Sequence, residues 1–564
     1  MNVKNKKLIF VSGGVISGVG KGTITASIAK CLQQRSLKVA VVKIDPYINI
    51  DAGTMRPTEH GEVWVTHDGG EIDQDLGNYE RFLDINISKR NNITTGQIYL
   101  SLIEKERAGK FLGKTVQPIP HLIEEIKNRI NEATRGSDVA LVEIGGTVGD
   151  YENFPYLFAA KSFEIEYGKE NVVHILVSYL PMPKHLGEAK TKPTQQAIRA
   201  LNEIAIVPDF IICRAEQEID DSRKEKIERY ANIPSEHVIS APDLDIVYEI
   251  PLKLEKEGFI DKLLKRLSLH SRKPDWSEWK KRINSLKNPR RIFKVALVGK
   301  YIASGHFSLA DSYISINEAL KHAAAFLNSN VEIGWIDANK LNEKQLALFD
   351  AIIVPGGFGS TGVEGKINAI KFARETNKPF LGLCYGMQLA VVEFARNVCN
   401  LEEAHTTEVN PKTKHPVIDI LPEQREILKE GKLGASMRLG EYAAVVEKDS
   451  KVYEVYKRFG RIRRDTMKLK TLEEFRKGII PRGSNVIIER HRHRYEVNPK
   501  YHKILQQHGL KFSGLHLRSD GIKLVEFIEL PNHRFFVATQ AHPEFTSRFL
   551  RPAPLFVALL EACL

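Results

Sequence analysis

The chain has 564 residues, too many for one hydrophobic core, so two or more domains of ordinary size are expected. Hydrophobic residues make up 42% and charged residues 27%, which excludes a disordered chain, and no apolar run reaches the about 18 residues that a membrane helix needs. The formal net charge of +12 suits polyanionic partners, but residues 457–482 alone hold ten Lys and Arg against three Asp and Glu; the mildly basic remainder fits nucleotide triphosphates as well as it fits nucleic acid.

From the N-terminus, LIFVSGGV has too few apolar residues for a signal peptide, so a cytoplasmic location is the expectation. The runs LIFVSGG, KVAVVKID, DVALVEIGG, NVVHILVSYL and PDFIICRA are consecutively apolar, as in strands buried on both faces, and helical segments such as HLIEEIKNRINEA separate them. That alternation predicts a doubly wound parallel sheet over residues 1–270, with ligands beyond the carboxyl ends of its strands. Residues 271–291 are polar and basic and are read as a linker with room for one helix. FKVALVGKY, VEIGWID, AIIVPGG, PFLGLCYG and FFVATQAHPEF then predict a second α/β domain over 292–564. The five cysteines are widely spaced and include no C-x-x-C pair, so neither a disulfide framework nor a zinc ribbon is expected.

The first chemistry lies in SGGVISGVGKGT, residues 12–23. A strand, a glycine-rich turn and a helix place backbone N–H groups and a helix N-terminus around an anion, with Lys21 positioned to lie across phosphates. The spelling departs from the usual phosphate loop: Gly14 comes one position early and Gly22 stands where a hydroxyl residue is usual. Both glycines are read as admitting a second ligand close to the backbone. Phosphates call for magnesium, and magnesium for carboxylates. Glu143 ends a buried strand, where packing does not explain a charge; among Asp68, Glu71, Asp73 and Asp75 spacing cannot choose, and most are read as solvated. KTKPTQ, residues 190–195, places two lysines around a rigid turn, either an exposed basic loop or a second triphosphate cradle.

The second chemistry lies in LGLCYGMQ. Glycines flank Cys384 between a strand and a helix, the pattern of a nucleophile elbow whose helix N-terminus favours a thiolate. QAHPEF supplies His542 as a base and Glu544 to orient it, and VPGGFG supplies backbone donors for an oxyanion. These are the parts for acyl transfer from an amide. Cys31, Cys213, Cys399 and Cys563 lack such surroundings and are read as structural.

Together SGGVISGVGKG, KIDPYINIDAGTM, HGEV, DLGNYERF, EIGGTVGD, KTKPTQ, VPGGFG, GLCYGMQ, RHRHRYEVN and HPEFTSR resemble, in order and over nearly the whole chain, the CTP synthase family of glutamine-dependent amidotransferases. KIDPYINIDAGTM and KTKPTQ are the discriminating segments, since the glutaminase elements recur in many amidotransferases. The resemblance implies a P-loop-type amidoligase (dethiobiotin-synthetase-like) domain followed by a class I glutamine amidotransferase domain. It implies amination of UTP to CTP with ATP and glutamine or ammonia, through a UTP phosphorylated on O4. It further implies Mg2+, GTP as allosteric activator, CTP as feedback inhibitor, and a homotetramer with UTP sites at subunit interfaces, with no membrane and no nucleic acid expected as partners.

Carried onto this chain, the resemblance gives ATP to Gly18, Val19, Gly20, Lys21, Gly22, Thr23, Asp75, Arg214, Pro242, Asp243 and Leu244, with Lys43 as a further phosphate ligand. UTP and the inhibitor CTP fall to Ser17, Asp150, Tyr151, Glu152, Lys190, Thr191, Lys192, Pro193, Thr194, Gln195 and Lys226. Metal falls to Asp75 and Glu143. Cys384, His542 and Glu544 become nucleophile, general base and its partner; Gly357, Tyr385, Gly386, Met387, Gln388, Glu408 and Arg494 surround glutamine, Gly357 and the backbone after Cys384 forming the oxyanion hole. Tyr151 stands in DYE where many members read DIE, a change expected to touch the inhibitor pocket rather than the reaction. Residues 457–482 look like an insertion, read as a solvated surface excursion or, alternatively, as a contact to a neighbouring subunit or another polyanion. Two competing readings, a corrinoid-type amidotransferase and a scaffold without catalysis, lack respectively a KTKPTQ segment and a reason for a complete triad.

Overall fold

All ten apolar runs become strands in the computed structural model, which describes residues 6–56, 61–183, 185, 187–300, 303–304, 307–308, 310–420 and 437–564. The chain divides into two units: Met1–Ala52 with Asp73–Trp279, and Gly53–Ile72 with Lys280–Leu564.

The first unit is built on a seven-stranded sheet. By order along the chain its strands are Lys7–Gly14, Val39–Asp45, Asn92–Thr94, Val139–Ile144, Val172–Tyr179, Phe210–Ala215 and Val238–Pro242. Across the sheet they run third, second, fourth, first, fifth, sixth, seventh, every pair parallel. The chain leaves the central first strand toward one edge and later fills the other, so the crevice beyond the carboxyl end of Lys7–Gly14 is the switch point where such sheets bind ligands. Register sets Lys43 opposite Glu143, and Glu143 opposite Val11, at that same end.

The second unit carries a nine-stranded mixed sheet. Five parallel strands stand in the order Asn330–Asp337, Ile292–Gly299, Ala351–Val354, Phe380–Leu383, Phe536–Thr539. Four antiparallel ones continue it: Lys523–Glu529, Lys511–Leu517, Arg438–Val446 and Asn485–His493. Among the described residues no helix is long and apolar enough to cross a membrane.

Three findings differ from the sequence expectations. Residues 53–72 do not cluster with the flanking amidoligase-like segments: the hairpin Trp64–Val65/Glu71–Ile72 belongs to the second unit, where Trp64 packs 5.0 Å from the Phe545 ring and Arg490 donates to the Val65 carbonyl at 3.0 Å. The linker region 271–291 holds the helix Ser277–Lys287, and the first unit extends to Trp279, because Trp276 and Trp279 are buried and the Trp279 indole donates to the Tyr248 carbonyl at 2.7 Å. Residues 457–482 are not simply a solvated excursion. They form helices with buried arginines: Arg461 pairs with Asp465 at 3.0 Å and Glu489 at 2.9 Å, and Arg476 donates to Leu439 and Asp68 carbonyls.

Candidate active sites

In the first unit the loop after Lys7–Gly14 is held in unusual backbone. Val15, Gly18 and Gly20 have positive φ, and Ile16 donates back to the Gly14 carbonyl at 3.1 Å around Val15, a strained turn for a β-branched residue. The helix Lys21–Gln34 follows, with Gly20 as its N-cap and no side-chain cap, so its first N–H groups stay free for an anion. Ser17 and Gly18 are exposed, whereas Lys21 is buried and its ammonium donates to the Gly146 carbonyl at 2.7 Å. Burial, and then Lys43, lower the Lys21 pKa.

Lys43 is the hub of this site. Its ammonium pairs with Glu143 at 2.8 Å and with Asp75, and lies 4.0 Å from Asp45; the Tyr79 hydroxyl donates to the other Glu143 oxygen. None of the four loop acids is exposed, contrary to expectation. Glu71 is buried against Arg492 within the second unit at 2.8 Å, and burial, then Asp75 and Asp45, raise Asp73 to about 8. Among the described residues no three His, Cys, Asp or Glu side chains group as a ready-made metal cage. Two carboxylates beside a phosphate loop nevertheless suit magnesium, which takes one or two carboxylates and completes its shell with phosphate oxygens and water.

The altered spelling of the loop has a packing explanation. A Cβ at Gly22 would lie 2.5 Å from Asp75 Oδ1, one at Gly14 2.5 Å from Ala197 Cβ, and one at Gly13 2.7 Å from Lys21 Nζ. These glycines admit neighbouring protein atoms.

The other residues expected to bind nucleotides fall into two groups. Arg214 donates to the Ala241 and Pro242 carbonyls, both at 2.9 Å, and to Asp243 at 2.6 Å, and its Nε is 3.5 Å from a Cβ built on Gly20, which brings it to the phosphate loop. Lys190 pairs with Glu188, whose pKa is lowered first by Lys190, then by Arg223 and, less, Lys226. The KTKPTQ turn is the start of the helix Lys192–Asn202, with Thr191 as N-cap and Pro193 in its first turn; Thr194 is buried against Ser178 at 2.8 Å. Asp150 accepts from the Thr147 N–H at 2.6 Å, while Tyr151 is 86% exposed and Glu152 is also exposed.

In the second unit three adjacent parallel strands deliver the reactive groups from their carboxyl ends: Gly356 and Gly357 after Ala351–Val354, Cys384 after Phe380–Leu383, and His542 after Phe536–Thr539. Cys384 sits at φ 51°, ψ −102° as the N-cap of the helix Tyr385–Asn397, the strained turn expected of an elbow. The glycines beside it are packing requirements. A Cβ on Gly382 would lie 2.8 Å from Ala538 Cβ, and one on Gly386 would strike the Val354 carbonyl. A Cβ on Gly356 would lie 3.6 Å from Cys384 Cβ and 2.9 Å from His542 Cε1, so the glycine turn, the sulfur and the imidazole share one spot.

His542 Nδ1 is 2.6 Å from Glu544 Oε1. Burial works against its positive form, but Glu544 and then Cys384 outweigh burial and hold its pKa at about 10. Cys384 also raises it through a side-chain hydrogen bond to the imidazole. Met387 is core, whereas the Tyr385 hydroxyl donates to the Gly359 carbonyl at 3.0 Å and Glu408 accepts from the Gly359 N–H at 2.6 Å, so both fasten the glycine turn. Burial raises the Glu408 pKa, opposed by that N–H and by the charges of Lys300 and Arg494. Gln388 donates to the Tyr495 carbonyl at 2.9 Å, and its own oxygen has no hydrogen-bond partner among the described residues.

Sequence reasoning missed three groups here. Gln540, two residues before His542, donates to Cys384 Sγ at 3.8 Å. The Arg492 carbonyl accepts from the same sulfur at 3.6 Å, and its side chain holds Glu71. Lys366 lies buried behind Gly357. Its signal was in the sequence: it falls within the apolar helix stripe of Val363, Ile367 and Ile370.

Comparison with known proteins gives each half a relative. Residues 7–269 match the model described as CTP synthase N-terminus, and residues 308–562 match glutamine amidotransferase class-I. A CTP synthase of Methanocaldococcus jannaschii is 49% identical over 100% of this chain and 99% of its own length. One of Pyrococcus abyssi is 48% identical over 99% of this chain and 97% of its own. With nearly half of all residues shared from end to end, and both halves matched in order, the chain belongs to the CTP synthase family.

Proposed function

We propose that this chain aminates UTP to CTP, with ATP as phosphoryl donor and glutamine or ammonia as nitrogen source. What carries the reading is a division of chemistry within one chain. The first unit gathers Lys21, Lys43, Asp75 and Glu143 beside a phosphate-type loop, and the second gathers Cys384, His542 and Glu544 beside a glycine turn.

In the first unit the γ-phosphoryl group of ATP moves to O4 of UTP, its bond to ADP breaking as the P–O4 bond forms. Ammonia then attacks C4, loses a proton, and phosphate departs with the C4–O4 bonding pair. Gly18 to Thr23 with Arg214 and Pro242 to Leu244 bind ATP. Lys21, leaving the Gly146 carbonyl, neutralises the phosphoryl group in transfer. Ser17, Asp150 to Glu152, Lys190 to Gln195 and Lys226 bind UTP, and the product CTP inhibits there. Asp75 and Glu143 would hold Mg2+, which would shield phosphate charge; Lys43 pairs with the same carboxylates.

In the second unit the Cys384 thiolate adds to the glutamine side-chain carbonyl. The electron pair displaced onto oxygen is held by backbone N–H groups at Gly357 and after Cys384. The pair returns as the C–N bond breaks, and nitrogen leaves as ammonia with a proton from His542. Water, deprotonated by His542, then hydrolyses the thioester to glutamate. Gln388, Glu408 and Arg494 orient glutamine.

A homotetramer belongs to the reading, and the exposed apolar residues Tyr99, Leu100 and Ile103 on the helix Thr95–Arg107 offer a face for contact between protomers. GTP activation and a cytoplasmic location complete the reading. The test is CTP formation from ATP, UTP and magnesium with glutamine or ammonia. Cys384→Ala is expected to lose the glutamine-dependent reaction and keep the ammonia-dependent one; loss of both would overturn the division of labour.

A further inference from the structure

Lys366 lies on the helix Val363–Glu375, wholly buried, and its ammonium has no hydrogen-bond partner among the described residues. Its Nζ is 3.7 Å from a Cβ built on Gly357 and 5.4 Å from the centroid of the Tyr385 ring. The turn in front of it is otherwise fastened: Lys300 donates to the Phe358 carbonyl, Glu408 accepts from the Gly359 N–H and Tyr385 donates to the Gly359 carbonyl. The charged groups bearing on Lys366 are Lys300, which repels it, and the Cys384 sulfur, which attracts it. Burial first, and then Lys300, lower its pKa to about 7.

A bare amine in a core is costly, and methionine would fill the same volume without the penalty. Tyr385 offers a ring face, which compensates only in part. In its protonated form, populated at and below neutral pH, the side chain offers a positive charge behind the turn where negative charge develops.

We propose that Lys366 is a positioning residue for glutamine hydrolysis: its ammonium, sealed behind the Gly357 turn, supplies positive potential that favours the anionic Cys384 sulfur and the oxyanion formed when that sulfur attacks the amide. It acts through the turn and touches no substrate. The inference rests on Cys384 being the nucleophile.

The test uses the full-length enzyme and the variants Lys366→Met, Lys366→Arg and Cys384→Ala. Four quantities are read: kcat and KM for glutamine, ammonia-dependent CTP synthesis, the pH profile of iodoacetamide alkylation, and Tm. Cys384→Ala supplies the alkylation background from the other four cysteines, Cys31, Cys213, Cys399 and Cys563. In Lys366→Met, kcat should fall about tenfold with KM for glutamine little changed, as expected when a charge-stabilising group is lost. The alkylation profile should move to higher pH, Tm should hold or rise, and Lys366→Arg should recover part of kcat. An unchanged kcat and profile in Lys366→Met would overturn the proposal. So would a lowered Tm with an equal loss of ammonia-dependent synthesis, which would make Lys366 a packing residue. If Cys384→Ala kept glutamine-dependent synthesis, the nucleophile assignment itself would fail, a result distinct from either.

Discussion

A single methyl group added at Gly22 would press on the Asp75 carboxylate, 2.5 Å from Oδ1. Gly22→Ala should therefore displace Asp75 from Lys43 and reduce ammonia-dependent synthesis by tenfold or more, because a misplacement of about 1 Å can cost about 10²-fold. Unaltered synthesis in that variant would show that Asp75 does not need its present position. His542 gives a second prediction at this scale. Its pKa of about 10 lies above its ordinary 6.5, so the native state holds a proton that the unfolded chain has released across that window. The stabilisation is complete below about pH 6.5 and is lost as pH rises through about 10. Glu544→Gln removes the main raising partner, so the Tm difference between wild type and variant should shrink as pH climbs from 6.5 to 10. A constant difference would mean that Glu544 does not hold the imidazolium.

Elements, rather than residues, decide which parts of the chain were legible. The ten apolar strands were read correctly because both faces of a parallel sheet are covered and the runs are continuous. Asn485–His493 was not, since NVIIERHRH carries a charged or titratable side chain at each of its last five positions. Arg490 and His491 are nevertheless buried there, and the strand partners Arg438 bridge Glu496 at 3.0 Å and Glu526 at 2.8 Å. Only such long-range pairing makes that burial tolerable. The hairpin ending at Ile72 is the same lesson from the other direction. Its Glu71 supports Arg492, whose carbonyl meets the Cys384 sulfur, although more than 300 residues separate them in sequence. Glu71→Ala should thus lower glutamine-dependent synthesis severalfold while ammonia-dependent synthesis stays within about twofold, measured side by side. An equal fall in both would tie Glu71 to the nucleotide site instead.

For the whole molecule, the consequence is that two half-reactions can be removed separately. Lys21→Ala should abolish synthesis from either nitrogen source and leave a measurable basal glutaminase, assayed as glutamate release; full activity with ammonia would show that the opening loop is not the site of phosphoryl transfer. Assembly is testable in the same preparation. Ile103→Asp, at an exposed apolar position of Thr95–Arg107, should lower the mass measured by light scattering if that helix face joins protomers, and an unchanged mass would exclude the face.

By itself the sequence determined the α/β class and the two chemistries, and it singled out the candidate residues Lys21, Glu143, Cys384, His542 and Glu544, because each stands at a glycine turn or after a buried strand. These are local signals, carried by neighbours in the chain. Tertiary structure alone decided that residues 53–72 belong with the second unit, that Gly22 makes room for Asp75, that Lys43 joins Asp75 to Glu143, and that Lys366 and Gln540 stand at Cys384. Each of those depends on strand register and on side chains meeting across distant segments, and spacing along one chain does not encode such distances.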